Sequence, residues 1–274
     1  QPALSVALAQ LEATLGQPLF IRAPGGRITP TSFGRTWLAG AQIQLDALTR
    51  LMSGEAPAAA VRLACFEDLA PTLLAPLLRK LQAAAPDITI APEVLPFEAI
   101  TEGLRSGRID LALTWDLGLD AASEKTVLRQ VQPHAICAID SPLAALAKRG
   151  ATLATISEHP LILADQGLSL GHMRALFTAR DLPFTVAHRT ASLDLMRSYA
   201  GNGLGVGLSY TRPWGRRASC GARLSTIPVI DAGSEPIILA RLAANSLPPE
   251  AQRIAAMTPN LFTTQDPDQT DGES

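Results

Sequence analysis

Leu4, Leu8, Leu11 and Leu15 recur at three- and four-residue steps in PALSVALAQLEATL, the spacing that lines one face of an α-helix. Pro2 suits the first turn of that helix, and Gly16 followed by Pro18 ends it. In LFIRAPGGRITP, two short extended pieces flank Pro24-Gly25-Gly26, which predicts a hairpin with a tight tip. From Thr31 to Met52 the residues Phe33, Trp37, Ala41, Leu45, Leu48 and Met52 return at helical steps and predict one helix of about 30 Å. It closes in the small-residue linker SGEAPAAA. An apolar seam of that length, with no domain folded around it, is expected to meet a second copy of itself and so to form a dimerisation helix.

From Val61 the pattern changes to strands alternating with helices. VRLAC, ITIAPEVL and IDLALTW read as strands, with PTLLAPLLRKLQAAAP and FEAITEGLRSG as the helices between them. This βαβαβ run implies a parallel sheet with right-handed crossovers, whose ligands bind at the carboxyl ends of the strands. Those ends are CFEDL and TWDLG. A second series follows: HAICAID, PLILAD, FTVAHRT and GVGLSY as strands, GHMRALFTARD and SLDLMRSYAGNG as helices. The closing strand PIILARLA and helix PPEAQRIAAM are expected to return to the first series, giving an α/β fold of two lobes with a ligand cleft between them. The expected boundaries are 58–133 with 234–259 for lobe I and 134–233 for lobe II.

Composition narrows the function classes. Hydrophobic residues make up 47% of the 274 and charged residues 18%, which fits a well-buried globular protein. No apolar run reaches the roughly 18 residues of a membrane span, so no membrane role is expected. The chain opens without an initiator Met or signal-peptide pattern, so it is expected to begin partway through a larger N-terminal domain and to work in the cytoplasm. Cys65, Cys137 and Cys220 lack CxxC spacing, and His134, His159, His172 and His188 form no short-spaced ligand pattern. Free thiols, no metal and no cofactor are expected. Residues 1–57 carry Arg22, Arg27, Arg35 and Arg50 against Glu12, Asp46 and Glu55, a net of only +1. Charge alone therefore does not point to nucleic acid. Residues 260–274 carry four acids and no cation and are expected to form a disordered tail.

The motifs add what charge does not. Gln1-Pro2-Ala3, Ser5, Leu11-Glu12, Leu15-Gly16, Leu19-Phe20-Ile21-Arg22, Thr29-Pro30 and Gly34 resemble the recognition helix and wing of LysR-type transcriptional regulators. The resemblance continues through LLAPLLRKLQAAAPDITI, LRSGRIDLAL and GNGLGVGLSYTRP, to about Met257. It implies a partial winged helix-turn-helix over 1–31, a linker and dimerisation helix over 32–57, and an effector domain like a type II periplasmic binding protein. It implies DNA as a partner, a small-molecule effector, and a homodimer or homotetramer. DNA contacts would come from Gln1, Pro2, Ser5 and Val6 on the helix and from Arg22, Arg27 and Thr29 on the wing. With Val6 after the helix serine, base readout is expected to be thin, and Arg22 and Arg27 suit phosphate.

For the cleft, the strand-end loops offer Phe66, Glu67, Asp68 and Leu69, then Thr114, Trp115 and Asp116. The second lobe offers Gln166, Ser169, Thr190, Ser192, Ser209 and Thr211. The carboxylates favour an amine, Trp115 can stack on a cation or ring, and Arg212 can balance a carboxylate, so an amine-like or zwitterionic effector is expected. Glu67 and Asp68 are adjacent on one loop with no His or nucleophile beside them in sequence, which disfavours an enzyme. The alternative is a small-molecule sensor or solute-binding module that does not bind DNA.

Overall fold

A computed structural model of the chain describes residues 2–22, 28–35, 37, 38, 41, 60–119, 122–213, 215–241 and 247–262. It divides into two compact units, Gln1–Ala58 and Ala59–Ser274. Most of the helix expected over 32–57, and the tail from 263 onward, lie outside the described residues.

In the first unit, α1 (Pro2–Leu15) is followed by an antiparallel hairpin of β1 (Phe20–Arg22) and β2 (Ile28–Pro30), with Ile21 opposite Thr29. The Glu12 carboxylate of α1 accepts hydrogen bonds from the backbone N–H of Leu19 at 2.7 Å and of Phe20 at 3.1 Å. That ties the turn after the helix to the helix itself. Thr31 then begins a new helical segment, its Oγ1 accepting from Gly34 N–H at 2.8 Å in the manner of an N-cap. Residues 32–35, 37, 38 and 41 are helical. Gly34 lies so close to the hairpin base that a Cβ there would sit 2.0 Å from the Leu19 carbonyl oxygen. Only glycine permits that approach.

The second unit holds two five-stranded sheets. In the first, β3 (Val61–Phe66), β4 (Ile90–Leu95) and β5 (Leu111–Trp115) are parallel, and β12 (Glu235–Arg241) and β6 (Glu124–Val131) complete the order β4-β3-β5-β12-β6. β12 runs antiparallel to both β5 and β6. The second sheet comprises β7 (His134–Ala138), β8 (Leu161–Ala164), β9 (Val186–Thr190), β10 (Val206–Ser209) and β11 (Leu224–Pro228), in the order β11-β7-β10-β8-β9. The chain thus passes between sheets twice, after β6 and before β12. Five helices of this unit are α2 (Ala75–Ala84), α3 (Phe97–Arg105), α5 (Leu168–Thr178), α6 (Leu193–Gly201) and α7 (Pro249–Leu261), with the short α4 (Leu153–Ser157) preceding β8. α2 buries Leu77 and Leu81 and packs against α7, which buries Ala251, Ile254 and Ala255.

The single helix read in PTLLAPLLRKLQAAAP is interrupted at its start. Ala70–Leu74 forms a π-helical turn before α2. Pro76 has no N–H to donate, so the regular i to i−4 ladder cannot run through this position.

β3 and β5 are joined by more than their ladder. Asp110, 5% exposed just before β5, accepts from Arg62 N–H at 2.8 Å, from Nε at 3.0 Å and from a terminal guanidinium nitrogen at 2.5 Å. The pairing holds the Arg62 pKa above its ordinary value, chiefly through that hydrogen bond. Removing the carboxylate leaves a backbone N–H and a guanidinium without their acceptor. Asp110→Ala is therefore expected to lower the unfolding free energy by about 2–4 kcal/mol, measured by urea denaturation.

Candidate functional site

Parallel strands place their carboxyl ends along one edge, and in the second unit these edges face a shared cavity of about 30 Å³. From the first sheet, Asp68 follows β3, Trp115 and Leu117 end β5, and Glu235 begins β12, close to Trp115 because Ile237 pairs with that residue. From the second sheet, Ala164 ends β8, Ser169, His172 and Met173 rise from α5, Leu193 begins α6, Leu208 and Ser209 end β10, and Tyr210 and Thr211 follow it. The space holds about two water molecules.

Of the residues expected to meet in the cleft, Asp68, Trp115, Ser169, Ser209 and Thr211 line this cavity. Gln166 and Glu67 lie beside it as a bridge between the sheets: Gln166 Nε2 donates to Glu67 Oε1 at 2.9 Å. The remaining expected residues are used elsewhere. Phe66 is fully buried and stacks on Phe97 at 3.9 Å, and Leu69 is core, because the apolar positions at the end of β3 turn toward α3. Asp116 points to an ion pair with Lys125 at 2.7 Å. Ser192 caps α6 by accepting from Leu195 N–H, and Thr190 donates to the Ser192 carbonyl. Thr114 is completely buried in β5, and its hydroxyl has no hydrogen-bond partner among the described residues.

Besides the apolar Leu117, Ala164, Met173, Leu193 and Leu208, three cavity residues with polar or ionisable side chains were not legible as site residues: His172, Tyr210 and Glu235. His172 Nε2 lies 3.1 Å from Glu235 Oε1 but off the N–H direction, so it makes no hydrogen bond there. Tyr210 stands 5.9 Å from Trp115 and 5.8 Å from His172, ring centre to ring centre, and donates its hydroxyl to the Gly233 carbonyl at 3.2 Å. Burial pushes the Tyr210 phenol above its ordinary range. An aromatic that follows a strand, or a carboxylate that begins one, carries no sequence signal of facing a cavity.

The electrostatics are anionic. Burial, helped by the neighbouring Glu67 charge and opposed by the Gln166 hydrogen bond and the Arg197 charge, pushes the Asp68 carboxyl up to about 6. Arg197 sends its guanidinium to the Thr211 carbonyl at 2.8 Å, with its Nε left without a partner among the described residues. Cys65 is free and buried, and burial pushes its thiol up to about 12, which removes it as a reactive thiolate. Among the described residues no cluster of three His, Cys, Asp or Glu can hold a metal ion.

In the first unit, Val6 of α1 is 58% exposed and Thr29 of β2 is exposed. Pro2 and Ser5 lie in α1 and Arg22 ends β1, but their side chains, together with Gln1 and Arg27, lie outside the described residues. Two exposed apolar residues, Ile21 and Ile28, sit on the hairpin.

The family model of the LysR substrate binding domain matches residues 54–259, and that of the bacterial regulatory helix-turn-helix proteins of the lysR family matches residues 1–35. The chain is 30% identical over 151 residues to the transcriptional activator protein LysR of Escherichia coli (strain K12), a match covering 53% of this chain and 48% of the relative. The match thus spans about half the length of that curated relative. Among solved structures, HinK, a LysR family transcriptional regulator from Pseudomonas aeruginosa, superposes with a TM-score of 0.69 at 26% identity, over 94% of this chain and 88% of that one. Full-length CbnR, solved in complex with its target DNA, gives a TM-score of 0.71 at 18% identity over 95% and 90% of the two chains, a likeness of fold.

The raised Asp68 pKa carries a sign. The folded protein holds the proton more tightly than the unfolded chain, so this group's stabilisation is complete below the unfolded value near 4 and is lost as pH rises through about 6. Asp68→Asn is expected to match the wild type at pH 4 and to exceed it by about 2–3 kcal/mol at pH 7.5. Urea denaturation of both proteins at the two pH values measures the difference.

Proposed function

The chain belongs to the LysR family of transcriptional regulators, and from that premise we propose that it binds DNA as an oligomer and alters its contacts when a small molecule occupies the cavity of its second unit. The observation that carries this reading is that the helix-turn-helix and substrate-binding family models match in sequence on one chain. The proposed domain limits are 1–31 for the DNA-binding part, 32–57 for the linker helix, 58–133 with 234–259 for one lobe, 134–233 for the other, and 260–274 for an acidic tail.

On DNA, the start of α1 would enter the major groove, with Gln1, Pro2, Ser5 and Val6 toward the bases and Arg22, Arg27 and Thr29 on the backbone. In the cavity, Asp68, Trp115, Ser169, Ser209 and Thr211 would touch an amine-like or zwitterionic effector, while Glu67 and Gln166 bridge the lobes beside it. Its occupancy would favour one arrangement of lobes and subunits over another, in a homodimer or homotetramer. The protein is read as a cytoplasmic regulator that needs no cofactor and catalyses no reaction. Among the described residues no helix is long and apolar enough to cross a membrane.

Val6→Glu places a negative charge on the helix face proposed to meet DNA. Affinity for a duplex selected from a random pool is expected to fall about tenfold or more with the melting temperature unchanged, as measured by fluorescence anisotropy across a salt series. A thermal-shift series with amines, amino acids, sugars and organic acids tests the cavity: a stabilising compound should lose its effect in Trp115→Ala.

A further inference from the structure

We propose, resting on the reading of the cavity as the effector site, that its ligand is a small amine with an apolar body and no carboxylate, its ammonium held by Asp68 and Glu235. The body would lie against Trp115 and Tyr210. The argument begins with the charges on the wall. Among the described residues two carboxylates line the cavity, and His172 is the only lining side chain that can become cationic. Arg212 is adjacent in sequence to Thr211 but is not part of the lining. Arg197 reaches the Thr211 carbonyl and likewise does not line the space. A carboxylate on the ligand would face two acids with no guanidinium on the wall to receive it, which removes the zwitterion from the two effector classes expected from sequence.

The acceptors on offer suit a donor-rich head group. Beside Asp68, Gln166 is 8% exposed, and its buried Oε1 has no donor among the described residues. The Glu235 carboxylate has His172 close by but receives no aligned N–H from it. An ammonium carries three donors and no acceptor, which matches the two lining carboxylates. Apart from the hydroxyls of Ser169, Ser209 and Thr211, the rest of the wall is apolar or aromatic, Leu117, Met173, Leu193 and Leu208 joining Trp115 and Tyr210, and the Ser209 hydroxyl is already engaged with the Thr211 backbone. That lining fits a hydrocarbon body rather than a sugar, and the ring faces add cation–π attraction. With about 30 Å³ open, the body must be small.

The test uses matched compounds that differ in one group: isobutylamine, valine and isobutyl alcohol, and benzylamine, phenylglycine and benzyl alcohol. Binding to the whole chain is read by isothermal titration calorimetry, with thermal shifts alongside. At least one amine is expected to bind, and its zwitterionic and alcohol counterparts to bind about tenfold more weakly or worse. Asp68→Asn and Glu235→Gln should each weaken the amine by a similar factor while remaining folded by circular dichroism, and Trp115→Ala should weaken it too. Valine or phenylglycine binding as tightly as the matched amine would overturn the exclusion of a carboxylate. Equal binding by the alcohol would overturn the role of charge. If no amine binds but another compound stabilises the protein in a Trp115-dependent way, the amine is wrong and the cavity stands as the effector site. Binding that is indifferent to Trp115→Ala, or no binding by any class, overturns both.

Discussion

Parallel strands cannot be joined by a tight turn, and the second unit follows from that constraint. Each crossover returns the chain to the same end of the sheet, so the loops after β3, β5, β8 and β10 gather at carboxyl edges without any dedicated sequence device. Two passages between the sheets, after β6 and before β12, bring those edges to one cavity. Glu235 joins the same wall because β12 runs antiparallel to β5, so that its beginning meets the end of β5.

Between β3 and β5 a buried charge is matched: Asp110 receives three N–H donors from Arg62. Around the cavity, Asp68 is pushed toward its neutral form by burial, and Gln166 Oε1 beside it lacks a partner among the described residues. A folded chain tolerates such groups where something else can satisfy them, and a ligand is the natural candidate. The Glu67–Gln166 hydrogen bond joins the two sheets beside this space.

The first unit shows how few residues fix a small motif. Glu12 accepts from the backbone of Leu19 and Phe20, Thr31 caps the next helical segment, and Gly34 leaves room for the Leu19 carbonyl. Glu12, Leu19, Phe20 and Gly34 belong to the pattern by which the chain resembles its family, and each has a geometric reason here. Val6 on α1 and Thr29 on β2 present exposed side chains.

The sequence by itself determined the elements whose burial is complete. The all-buried β5, the strongly two-faced α3 and the strand-helix alternation from Val61 were legible from periodicity, and the placement of Asp68 and Trp115 at strand ends followed from it. Two strands were not legible, β6 and β11, and both are edge strands. Half of an edge strand's surface meets solvent, so EKTVLRQV is mostly polar and LSTIP ends in proline, and neither shows the apolar alternation that marks a strand. Tertiary structure alone decided which polar residues share the cavity. It brought His172, Tyr210 and Glu235 to Asp68 and Trp115, and gave Phe66, Asp116 and Ser192 to packing, an ion pair and a helix cap. The reason is physical: periodicity records which face of an element is buried, whereas a site is made by faces from different sheets, whose meeting depends on topology rather than on any local run of residues.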